Sequence, residues 1–153
     1  MIETTRLQEK RMIDTPLGTV SYTENDIVLF PEGIIGFEDK SKFVIFTKIG
    51  FEPFQWLICV NDPALQLPIV DPLLVKTDYL AKSGIRELQS IGLDNITDGQ
   101  LYVIVTVGKS IHDVSANLRG PIVINPTRKL GKQIILSESN YSLKQPILAG
   151  SQN

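Results

Sequence analysis

The stretch WLICVNDPALQLPIVDP, residues 56–72, holds two apolar runs separated by a turn. The first, 56–60, is closed by Asn61-Asp62-Pro63, and the second, 67–70, by Asp71-Pro72. Asp and Asn side chains bond their own backbone, and Pro presets φ, so both clusters start turns. Short runs rich in β-branched and aromatic residues, bounded in this way, read as strands. Working outward, 27–30, 43–46, 73–75, 102–107, 122–124 and 133–136 carry the same signature. Residues 15–19, Thr-Pro-Leu-Gly-Thr, read as a turn between two extended segments. Only one stretch has helical spacing. Ile85, Leu88 and Ile91 fall three apart, with Ser83 as a candidate N-cap and Gly92 as the residue past the end. The expectation is an all-β, small antiparallel barrel-like domain with one short helix over 84–91.

The 153 residues suit a single domain spanning 1–153, with its core at about 13–146 and a frayed tail at 147–153. Hydrophobic residues make up 42% and charged residues 21%, which argues against wholesale disorder. One cysteine, Cys59, excludes an intrachain disulfide, and one histidine, His112, excludes a site built on two imidazoles. No run approaches the roughly 18 apolar residues of a membrane span. A reducing, cytoplasmic setting without membrane contact follows as the expectation. Residues 21–99 hold twelve acids and six bases, net −6, whereas 100–153 hold two acids and six bases, net +4. The acidic central segment disfavours nucleic acid and favours basic partners.

The sequence is poor in catalytic patterns. It has no glycine-rich phosphate loop, no paired histidines and no C-x-x-C. His112 beside Asp113 reads as a loop histidine, and Cys59 in an apolar run reads as a small buried hydrophobe. Arg128-Lys129-x-x-Lys132 has no aromatics between its basic residues, as a nucleic-acid stripe would need. Neither enzyme activity nor a cofactor or metal is expected. The most distinctive feature is FPEGIIGFE, residues 30–38, where Gly33 and Gly36 flank two isoleucines and Phe37 follows. An apolar, aromatic and acidic loop without catalytic groups suits a protein-binding surface.

Five motifs occur in order: FPEGIIGFE at 30–38, PFQWLICVNDPALQLPIVDP at 53–72, SANLRGPIVIN at 115–125, GKQIIL at 131–136 and YSLKQP at 141–146. Together they resemble the FliW flagellar assembly factor family over about residues 15–146. Asn61, Gln66-Leu67-Pro68 and Arg119-Gly120 depart from the family pattern. The resemblance implies a small cytoplasmic β-barrel that binds flagellin before export and antagonises the RNA-binding translational regulator CsrA. On that footing flagellin level is coupled to flagellin translation, with no direct nucleic-acid contact. The partner-binding residues it implies are Glu32, Gly33, Ile34, Gly36, Phe37, Glu38, Asp62, Asp71 and Asn117. The acids among them would face the basic regulator. The alternative classes are a small nucleic-acid-binding β-barrel and a hydrolase using Asp62 or His112.

Overall fold

The computed structural model describes residues 9–79, 85–110, 112–137 and 139–147. Among them the chain forms β1 (Arg11–Thr15), β2 (Gly18–Tyr22), β3 (Val28–Leu29), β4 (Lys42–Phe46), β5 (Gln55–Cys59) and β6 (Gln66–Val70). The short helix α1 (Ile85–Gln89) precedes β7 (Gln100–Val107), β8 (Val114–Ala116), β9 (Ile122–Asn125), β10 (Leu130–Gln133) and β11 (Gln145–Pro146). Strands β7, β6, β5, β4, β3, β10 and β9 are hydrogen-bonded in that order, and β9 returns to β7 through Leu101↔Val123. This closes a seven-stranded barrel. Its pairings are antiparallel except where β10 meets β3 in parallel at Leu130↔Leu29. Strands β8 and β11 extend the sheet beyond β7.

The period-two alternation of β4 and β5 sorts their side chains into two layers. Phe43↔Cys59 and Ile45↔Leu57 belong to the barrel interior, while Val44↔Ile58 and Phe46↔Trp56 belong to the outer face. Inside, the rings of Phe30 and Phe43 meet edge to face at 5.4 Å. Gly131 lies against Phe30 so closely that a Cβ there would stand 2.5 Å from the ring. The β1–β2 hairpin covers the outer face with Val20 and Tyr22. A third cluster joins Leu88 and Ile91 to Val103, Val105, Leu118 and Leu136. There Tyr79 Oη donates to the Leu118 carbonyl at 2.7 Å. Burial raises the Tyr79 pKa above the usual phenol value, with neighbouring Tyr141 adding to the shift.

Several local expectations are corrected. Residues 73–75 do not form a strand, because Pro72–Leu74 is a 3-10 turn capped by Asp71, whose Oδ1 accepts from Leu73 N–H at 2.9 Å. Proline at the first position presets the turn, and the apolar run only resembles a strand. The run 133–136 is displaced. The strand is Leu130–Gln133, and Ile134 and Leu136 then bond to the Pro121 and Arg119 carbonyls outside a regular ladder. Trp56 is half-buried, packed between Phe46 at 6.4 Å and Phe51 at 5.8 Å. Within the described residues the helix spans Ile85–Gln89 and ends two residues short of the expected 91, while residue 84 lies outside them. Ser83 and the tail from residue 148 lie outside the described residues. Ile147 is held, its N–H donating to the Val114 carbonyl at 2.8 Å. No helix among the described residues is long and apolar enough to cross a membrane.

Candidate functional site

Proline 68 shapes the site. Strands β6 and β7 pair only through Ile69↔Ile104 and Val70↔Val103. A proline has no N–H to give a neighbouring strand, and the ladder stops beside it. Past that point β7 is paired along its opposite edge, with β8, from Val105↔Ala116 to Val107↔Val114. Between the two strands opens a cleft of about 860 Å³. Leu67 and Pro68 form one wall, and Ile104 to Val107 another.

The 30–38 segment supplies a further wall. It is folded by consecutive turns, with Gly33 N–H donating to Phe30 C=O at 2.9 Å and Phe37 N–H to Ile34 C=O at 2.6 Å. Gly33 has φ +68° and packs on the backbone of Glu38, where a Cβ would come within 2.6 Å of Cα. This position therefore requires glycine for two independent reasons. The turns leave Ile34 buried, Phe37 half-buried and Ile35 60% exposed, all three lining the cleft. Ile135, Ser137, Leu143 and Lys144 complete the lining from the C-terminal part of the chain.

Gln133 joins the parts. Its Oε1 accepts from Ile35 N–H at 2.9 Å, and its Nε2 donates to the Gly120 carbonyl at 3.0 Å. Asn117 shapes the 117–120 turn, its Oδ1 accepting from the Arg119 and Gly120 N–H groups at 3.0 Å each. The Arg119 guanidinium donates to the Ser137 carbonyl at 3.1 Å. One loop, one turn and the segment after β10 are thus held together by two amide side chains and one guanidinium. The role of Gln133 was missed in the sequence. Its only signal was its place in the GKQIIL motif, because its partners lie 98 residues before it and 13 residues before it.

Of the expected binding residues, Ile34, Phe37 and Asn117 line this cleft. Gly33 and Gly36 bend its wall. The acids are not gathered there. Glu32 pairs with Lys132 Nζ at 2.7 Å, and Glu38 accepts from Gly36 N–H at 3.2 Å. Asp62 pairs with Lys40 at 3.4 Å, and Asp71 caps its 3-10 turn past the other end of β6. Asp39 and the bond to Asp62 raise the Lys40 pKa. Near Asp71, burial and then that carboxylate's charge raise the Tyr102 pKa. Cys59 is buried and His112 is exposed in its loop, as expected. Among the described residues no group of three or more potential metal ligands is found.

The fold defines a small closed β-barrel with an apolar cleft where two of its strands part. The family model described as FliW protein matches residues 11–147. The flagellar assembly factor FliW of Thermoanaerobacter pseudethanolicus is 34% identical over 137 residues, covering 89% of this chain and 91% of that protein. That of a Geobacillus strain is 38% identical over 127 residues, covering 83% and 88%. A crystal structure of the flagellar assembly factor FliW superposes with a TM-score of 0.82 at 36% identity, covering 89% of this chain and 96% of that one. The chain belongs to the FliW family of flagellar assembly factors.

Proposed function

We propose that this chain acts without catalysis in the cytoplasm, binding flagellin through the cleft and antagonising CsrA through its acidic loops. The observation that carries this reading is the set of uncovered aliphatic side chains in the cleft. Ile35, Val107, Ile135 and Leu143 are each more than half exposed. Aliphatic groups gathered on one surface mark a docking site, because water disfavours them as a contiguous patch. A flagellin subunit waiting for export offers apolar helical surface that such a cleft can cover.

The regulator is basic and binds RNA, so acids at the loop edges suit it. Lys132 and Lys40 each neutralise one of these carboxylates, Glu32 and Asp62. Glu38 makes no ion pair among the described residues and is the acid best placed to act at long range. Calorimetry with purified monomeric flagellin and purified CsrA tests the reading. Saturable binding of both is expected, with slower CsrA association for Glu38→Lys at low salt that converges with the parent at about 1 M salt, where the Debye length is about 3 Å. Absence of flagellin binding, or an unchanged Glu38→Lys association rate at low salt, overturns the corresponding half.

A further inference from the structure

Among the described residues the cleft carries charge of one sign. Among its described lining residues, Arg119 and Lys144 are charged and no acid is present. This contrasts with a chain whose formal net charge is −2. Neither cation makes an ion pair among the described residues. The bond from Arg119 to the Ser137 carbonyl uses one guanidinium N–H and holds the group at the cleft. Lys144 follows Leu143, which is 59% exposed, so a cation stands directly beside an uncovered aliphatic group. Glu32 and Glu38 flank the loop wall formed by Ile34, Ile35 and Phe37.

We propose that the cleft receives an amphipathic helix of a protein partner whose apolar face is edged by carboxylates, and that Arg119 and Lys144 select it. The inference rests on the docking reading above and adds the chemistry of the partner. A strand added along β6 fits less well, because Pro68 offers no N–H on that wall, and the aliphatic and cationic side chains of the lining come from several segments rather than from one strand edge. Recognition falls instead on side chains, with aliphatic groups against aliphatic groups and carboxylates against the two cations.

Methyl-labelled protein titrated with two synthetic amphipathic helices tests this. Both carry the same leucine face, one edged with glutamate and one with lysine. Shifts in the methyl signals of Ile35, Ile135 and Val107 are expected, with the glutamate peptide bound about tenfold more tightly at low salt. That preference should collapse to about twofold in Arg119→Gln/Lys144→Gln and in the parent at about 1 M salt. Methyl dispersion in the same spectra verifies folding of the variant. Equal affinity for the two peptides, or no shift at these methyls, overturns the proposal. So does tighter binding of dodecanoate than of either peptide, which would make the occupant an acyl chain.

A parallel titration with monomeric flagellin separates the two readings. Loss of flagellin binding in Ile35→Asp, with Arg119→Gln/Lys144→Gln unchanged at low salt, leaves the cleft as the docking site and removes the carboxylate-edged occupant. Peptide selectivity without flagellin binding keeps the inference and removes flagellin as the partner.

Discussion

The flank of the barrel at β4–β5 and the parting of β6 and β7 present the same kinds of side chain with opposite outcomes. On the first, Val44 and Ile58 are 1% and 0% exposed because the β1–β2 hairpin lies over them. At the second, Ile35 and Ile135 are 60% and 52% exposed because no described part of the chain covers them. An aliphatic side chain is core or binding surface according to whether its cover comes from the same chain. The hairpin flank contributes to folding stability, and the cleft keeps its apolar area for a partner.

Substitutions sharpen this contrast. The largest effect is expected from Ile58→Ala under the hairpin, which should cost about 2–5 kcal/mol through lost burial and a residual cavity. Denaturant unfolding measures it, and a cost below about 1 kcal/mol would break the view that the hairpin seals this flank. Next comes Tyr79→Phe, which strips the partner from the buried Leu118 carbonyl beneath the cleft turn and should cost about 1–3 kcal/mol. The same substitution changes alkaline behaviour. The folded-state pKa of Tyr79 lies above the unfolded value of about 10, so its contribution is full below that pH. It is lost as pH rises through the folded pKa, because the unfolded phenol ionises first. Tyr79→Phe should flatten the fall of stability above pH ~10, as followed by far-UV circular dichroism. An unchanged alkaline slope would show that the raised pKa of Tyr102 or another group governs it.

Gln133→Ala should cost about 1 kcal/mol, since water replaces part of what the amide supplied at the exposed Ile35 N–H. Hydrogen exchange should accelerate at Ile35, and unchanged protection there would remove Gln133 as the tie between loop and turn. The smallest stability effect is expected from Ile135→Ala, within about 0.5 kcal/mol, because its side chain is half in water already. Its effect should appear in flagellin affinity, read by calorimetry. A stability loss comparable with that of Ile58→Ala would erase the distinction between the two flanks.

Much of the barrel was legible because period-two alternation is local. The runs at 43–46, 56–60, 67–70, 102–107 and 122–124 fall within observed strands or within one residue of them. The turn roles open to Asp62 and Asp71 were legible too, since Asp before Pro acts through its immediate neighbours. Leu73 and Leu74 were misread because a capped 3-10 turn and a short strand share the same apolar composition. Strand β10 was misplaced because Gly131 interrupts the apolar pattern, and the need for glycine comes from Phe30, a hundred residues earlier. The candidate site was legible only in part. Ile34, Phe37 and Asn117 were found through motifs, whereas Gln133, Arg119 and Lys144 gained meaning only beside them.

Sequence alone determined that the chain is a small, mostly β domain with polar turns and without a recognisable catalytic pattern. Those properties follow from composition and from interactions between near neighbours. Tertiary structure decided which apolar residues stay uncovered, how the cleft opens where β6 and β7 part, and which charges face it. The reason is that burial and electrostatic environment are set by residues distant in the chain. Ile35 meets Gln133, and Glu32 meets Lys132, only once the barrel has closed.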